Sequence, residues 1–212
     1  MTKLTLYYSH DPMCSFCWAF RPSWSNVKES LLLNSPQISI VNLLGGLAPD
    51  SDVPMSADIK QKVSSAWHYI EKNIPGTQFN YDFWQTQEPR RSTYPACRAV
   101  MAAKMMDAID DEMVLAIQQA YYLNAQNPSN QSTLVKCAES IGLAADEFTK
   151  VLSSDSCQLA FNNERAQSQA LGINSFPSLV LTQSNNRFNI PIDYNHADII
   201  LKSINEAAKL LE

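Results

Sequence analysis

Two cysteines, Cys14 and Cys17, stand three positions apart in the stretch DPMCSFCWAF that begins at Asp11. Such a pair can supply half a zinc site, close a disulfide, or sit inert as two buried thiols. A structural zinc site takes four ligands, usually with a second cysteine pair or a Cys/His set at similar spacing. Cys97, Cys137 and Cys157 are singletons here, and His10, His68 and His196 form no spaced pair, so no metal is expected. The spacing also fits a nucleophilic thiol followed one helical turn later by a resolving thiol.

That chemistry depends on what holds the pair. Residues 4–9, LTLYYS, are rich in β-formers and read as a strand. A helical pattern sets in at Cys14 and runs to about Leu33, with Pro22 expected to kink it. Cys14 would then lie at a helix N-terminus, where unpaired N–H groups and the positive end of the helix dipole favour a thiolate by about 0.3–2 kcal/mol. Cys17 would lie on the same face and deeper. Asp11, three residues before Cys14, can accept a proton, oppose thiolate formation, or simply cap a turn. Trp18 either packs against the pair or belongs to the core.

Further along, residues 37–44 read as a second strand closed by Gly45 and Gly46. From Ser56 to Leu171 the pattern is helical: Ser56 and Thr93 are capping candidates, Pro95 is tolerated in a first turn, and helices are expected over 112–125, 132–141 and 155–171. Trp67, His68 and Tyr69 read as one helix face in the core. Strand character returns at 178–182 and 187–192 around a turn at Ser184–Asn186, and residues 198–211 close the chain as an amphipathic helix. The order is β-α-β, a block of helices, then β-β-α. It defines an α/β, thioredoxin-like fold interrupted by an all-helical insertion, with 1–55 and 172–212 forming one domain and 56–171 the inserted one.

The stretch SFPS at 175–178 puts a proline directly before a strand, where it removes a backbone donor. An aromatic–proline bond suits the cis form, although a trans proline opening a strand is the plainer reading.

Taken together, DPMCSFCWAF, LLGGL at 43–47, STYPACRAVMAA at 92–103 and the late Phe-Pro resemble the DsbA-like branch of the thioredoxin superfamily. That branch includes FrnE-type proteins and predicted protein-disulfide isomerases. It is related to kappa-class glutathione transferases and 2-hydroxychromene-2-carboxylate isomerases. The resemblance covers essentially the whole chain. It implies that Cys14 is the attacking thiol, Cys17 the resolving thiol, and Pro177 a cis-proline facing them. Phe176 would offer its backbone to an extended substrate and an apolar side chain beside Cys14. Two departures qualify it: the dipeptide between the cysteines, and the lack of a leader, so that the periplasmic oxidase role is not expected to carry over. The dipeptide Ser15–Phe16 lacks the histidine of strongly oxidising DsbA pairs, which implies a less oxidising protein. Kappa-type transferases usually carry a serine and no second cysteine at this position, so Cys17 speaks against that group.

The expected activity is thiol–disulfide exchange, as oxidoreductase or isomerase, on protein, peptide or small-thiol substrates. The dithiol itself would be the redox group, and glutathione could serve as co-substrate. The rivals are a glutathione-dependent transferase or isomerase and a non-catalytic chaperone or binding module. A net charge of -5 gives no basic footprint for nucleic acid. No apolar run approaches the ~20 residues of a membrane span, and the first residues lack a signal peptide's apolar region, so a cytoplasmic protein is expected. There the odd, sparse cysteine set is no disulfide framework. Cys97 could neighbour the site as a third thiol, but like Cys137 and Cys157 it reads better as buried. Arg90, Arg91 and Arg98 could receive an acidic substrate or glutathione, or form a solvated surface.

Overall fold

A computed structural model describes residues 4–211. Four strands form one sheet in the order β2-β1-β3-β4. β1 (Leu4–His10) pairs in parallel with β2 (Ile38–Leu44) and antiparallel with β3 (Ser178–Gln183), which pairs antiparallel with β4 (Asn186–Ile190). Strand β4 ends before Pro191, two residues short of the expected boundary, because proline has no N–H to continue the ladder.

Alternation along β1 sends Leu4, Leu6 and Tyr8 into one face. That face is covered by α1 (Ser15–Asn34) and α9 (Ala197–Leu211). Both helices bury the same spacing: Phe20, Trp24, Val27 and Leu31 on α1, and Ile200, Ile204, Ala207 and Leu211 on α9. Offsets of 4, 3 and 4 residues keep each set on one stripe of a 3.6-residue helix, which docks the pair against the sheet. Pro22 lies inside α1 but is exposed, and the helix continues past it.

Between β2 and β3 the chain forms α2 (Ala57–Asn73), α3 (Phe83–Thr86), α4 (Tyr94–Asp107), α5 (Asp110–Tyr122), α6 (Gln131–Ser140), α7 (Ala145–Leu152) and α8 (Asp155–Ala170). Helix α4 packs against α5, α6, α7 and α8. Its small residues Ala96, Ala99, Ala102 and Ala103 are fully buried and let those neighbours approach closely. Aromatic rings of Trp67, Phe79, Phe83, Tyr121 and Tyr122 fill the other side of this core. Trp67 is completely buried there, whereas His68 and Tyr69 are exposed. The expected three-residue face is therefore wrong, since consecutive helical residues point about 100° apart and cannot share one.

The register fixes where the site forms. His10 is level with Leu44, so the turn after β1 and the loop after β2 leave the sheet side by side. Ser178, which opens β3, is level with Ser9. The Phe176–Pro177 segment therefore enters the sheet at the edge where the cysteine turn leaves it.

Candidate active site

Cys14 is the N-cap of α1, with extended backbone at φ -85° and ψ 114°. Its own N–H donates to the Asp11 carbonyl (3.0 Å), which closes the turn leaving β1. At the first turn of the helix, the Cys17 N–H donates to Cys14 Sγ at 3.4 Å. From the opposite side the Cys14 thiol donates to the Phe176 carbonyl at 3.5 Å. The peptide bond between Phe176 and Pro177 is cis. All five cysteines are free thiols.

The two thiols of the pair differ in access. Cys14 keeps 6 % of its surface and Cys17 only 1 %, so an incoming sulfur meets Cys14 first. Burial pushes the Cys17 thiol well above its ordinary range, and the Cys14 sulfur beside it adds to the rise.

Asp11 is completely shut off from water, yet four donors converge on it. Oδ1 accepts from the Met13 N–H at 2.7 Å, an Asx-type turn that shapes the approach to Cys14. Oδ2 accepts from the Leu47 N–H (2.7 Å), the Thr93 hydroxyl (2.6 Å) and the Cys97 thiol (3.6 Å). Burial raises its pKa above the ordinary carboxylate value, and these hydrogen bonds pull it partly back. One carboxylate thus ties together the cysteine turn, the loop after β2 and the start of α4.

Cys97 stands close behind the site through Asp11, but it is buried and its proton is held far above the usual thiol range by burial and the carboxylate. Trp18 turns away: its ring stacks on Tyr122 at 5.8 Å, and Nε1 donates to the Gln78 carbonyl at 3.2 Å. Cys137 sits on α6, and Cys157 on α8 donates to the Arg98 carbonyl. Arg98 grips Asp50 through both guanidinium arms, at 2.6 and 2.9 Å, and Arg90 holds the Ser129 carbonyl and Asn130. Both side chains are committed within the chain. Among the described residues no three His, Cys, Asp or Glu side chains group as a metal site.

Three ring contacts around the pair went unread in the sequence. The Phe16 ring, between the cysteines, lies 6.4 Å from Tyr69 of α2 and 6.1 Å from Tyr194 before α9. The Phe176 ring lies against Gly45. Only the paired glycines after a strand could have pointed there.

A thioredoxin family profile, Thioredoxin_5, matches residues 7–198, and the chain belongs to that family. Solved structures share its fold. A Nitrosomonas europaea protein described as a candidate protein disulfide isomerase is 24% identical, with a TM-score of 0.84, over 99% of this chain and 100% of its own. The cytosolic disulfide reductase DsbM of Pseudomonas aeruginosa is 20% identical, with a TM-score of 0.77, over 97% and 99%; it has also been solved with GSH. Among curated proteins, the ClpXP adapter protein SpxH of Halalkalibacterium halodurans is 23% identical over 190 residues, covering 86% of this chain and 60% of that protein. The chain spans about three fifths of the length of the curated relatives it matches. The fold is that of the DsbA-like disulfide oxidoreductases, a helical segment set into a thioredoxin-like sheet.

Proposed function

We propose that the protein is a thiol–disulfide oxidoreductase working through Cys14 and Cys17, with isomerase activity open to the same pair. The observation that carries the reading is the seat of Cys14 Sγ at the helix N-cap, between the Cys17 N–H and the Phe176 carbonyl. A thiolate there keeps the Cys17 N–H as donor and the helix dipole as counter-field. In the reductive direction, Cys14 loses its proton and attacks one sulfur of a substrate disulfide. A mixed disulfide forms and one substrate thiol leaves. Cys17 then gives up its proton and attacks Cys14 Sγ, so the Cys14–Cys17 bond forms and the second substrate thiol leaves. Two electrons pass to the substrate and the two protons end on its thiols. Reversal oxidises a dithiol.

The Phe176–Pro177 segment is the proposed substrate-facing backbone. The dithiol is the only redox group the cycle needs. Protein or peptide disulfides are the proposed substrates, and glutathione is the proposed small-thiol partner that restores the dithiol. DsbM, a cytosolic disulfide reductase solved with GSH, supports that partner and a cytoplasmic setting by analogy of fold. Among the described residues no helix is long and apolar enough to cross a membrane.

The test is redox equilibration of the pair against a glutathione series, in a variant with Cys97, Cys137 and Cys157 replaced. Formation of an intramolecular disulfide is expected, and each 30 mV of potential corresponds to about 1.4 kcal/mol. Cys17→Ser should trap a mixed disulfide on Cys14. If it turns over normally instead, Cys14 acts alone and a glutathione-dependent transferase or isomerase replaces the dithiol cycle. The SpxH relatives favour a second reading, a module that binds partners without redox chemistry; full function of Cys14→Ser would establish it.

A further inference from the structure

Gly45 takes no left-handed backbone angle, so nothing in its own conformation calls for glycine. What it lacks is space. A Cβ built on it would run into Cε1 and Cζ of the Phe176 ring and stand 2.8 Å from Cε2. The volume a side chain would occupy at position 45 is the volume the ring occupies.

The seat is held from below. The Gly45 N–H donates to the His10 carbonyl at 2.8 Å. Gly46 follows in the left-handed region at φ +70°, and the Leu47 N–H is taken by Asp11 Oδ2 at 2.7 Å. His10 and Asp11 lead directly into the cysteine turn, which Asp11 closes through Met13 and Cys14. From Cys14 the thiol reaches back to the Phe176 carbonyl. The contacts form a closed circuit: cysteine turn, Asp11, the loop after β2, the Phe176 ring, its carbonyl, and Cys14 again.

We propose that the bare Cα of Gly45 is the seat of the Phe176 ring, and that Gly45 thereby sets where the Phe176 carbonyl stands over Cys14. Gly45 is a positioning residue, acting through Phe176 on the nucleophile and on the backbone a substrate would meet. The inference rests on the thiol–disulfide reading for its catalytic meaning and on geometry for its structural meaning.

Gly45→Ala tests both. The obstructing atoms are the far edge of a side chain, so the ring swings away and the fold survives. Two readouts then move in opposite senses. Alkylation of Cys14 by iodoacetamide, read site by site by mass spectrometry, should quicken roughly two- to fivefold, because the carbonyl that engaged the thiol proton is displaced. Exchange of the reduced protein with oxidised glutathione and with insulin should slow roughly three- to tenfold, because the substrate-facing backbone is no longer held. Phe176→Ala should do the same, and Gly45→Ala added to Phe176→Ala should change neither readout further.

Unchanged Cys14 alkylation in Gly45→Ala would overturn the proposal, as would effects that multiply in the double variant. Faster labelling of Cys97 would also overturn it, since the substitution would then be opening the core. A wild-type protein inert towards both disulfides, with Cys14 alkylation still responding as described, would sink the thiol–disulfide reading and leave the ring seat standing.

Discussion

His10 closes β1 with its ring stacked on Tyr8, centroids 4.8 Å apart, almost wholly out of water. Burial pulls its pKa from 6.5 down to about 4, with Asp111 pulling the other way and Arg21 and Lys104 adding to the drop. The unfolded chain takes up this proton near pH 6.5, whereas the folded chain resists until about 4. The stability tied to neutral His10 is therefore complete above the unfolded value and is lost as pH falls through that window, by about 3 kcal/mol in all. His10→Phe keeps the stacked ring and removes the proton. Urea denaturation between pH 7 and 4 should show a flatter stability curve for His10→Phe than for wild type, and parallel curves would refute the assignment. Asp11 has the opposite sign. Its raised pKa means that its contribution is full below the unfolded carboxylate value and is lost as pH rises through the folded one. The wild-type curve therefore mixes the two, and only the difference between His10→Phe and wild type isolates the imidazole.

Thr93 stands at the N-cap of helix α4, and the N–H groups at that end are satisfied from outside. The Ala48 carbonyl accepts from the N–H groups of Thr93 and Tyr94 at 3.0 and 3.2 Å. The Thr93 hydroxyl makes no capping bond to its own helix; it donates to Asp11 and accepts from the Ala48 N–H at 3.1 Å. Thr93→Val keeps the shape but leaves Ala48 N–H and Asp11 without that partner, which should cost about 1–3 kcal/mol in urea denaturation. Thr93→Ser should recover most of it, and a neutral Thr93→Val would show the bridge to be idle. The sequence marked Thr93 as a helix start because Thr followed by Tyr-Pro is local information. Where its hydroxyl goes is not, since Asp11 is 82 residues away. The same limit hid the other donors to Asp11 and the Phe176 ring on Gly45. By contrast, Ser56 caps α2 as its type predicts, through the Ile59 N–H. The missed elements were short: α3 has one turn, and α7 buries only Phe148 and Leu152 behind an uncapped Ala144 start. Two apolar positions four apart do not establish a period. The cysteine turn after β1 and the late proline before β3 were legible because each is written in adjacent residues, whereas the pairing of β1 with β3 joins distant parts of the chain.

Across the whole molecule, apolar side chains gather in two clusters, one between the sheet and α1/α9 and one among α2–α8. The boundary between them runs through the candidate site. Met13, Ala19 and Leu44 come from the sheet end of the chain but are buried in the helical cluster. Polar bonds cross the same boundary: Ser9 to Ser168 at 2.8 Å, the Leu44 N–H to Glu164 at 2.9 Å, and Asp11 to Thr93. If the helical segment lifts away, each of these bonds is exchanged for bonds to water, a net loss of about 0.5–1.5 kcal/mol apiece that adds to the apolar loss. The two clusters should therefore unfold together. Phe20→Ala opens a cavity in the sheet cluster and should cost about 3–5 kcal/mol. In a Trp24→Phe background, fluorescence comes from Trp18, Trp67 and Trp84, all packed in the helical cluster. If the clusters are coupled, Phe20→Ala shifts the urea midpoint of that fluorescence as far as it shifts far-UV circular dichroism. A fluorescence midpoint that stays put would mean that the helical segment stands without the sheet. Coupling also has a consequence for the thiols, since the Asp11 junction is held by both sides. Trp67→Ala, far from the pair along the chain, should quicken alkylation of the fully buried Cys97, because loosening the helical cluster dismantles the Asp11 junction that shields that thiol, and unchanged Cys97 labelling would refute the coupling.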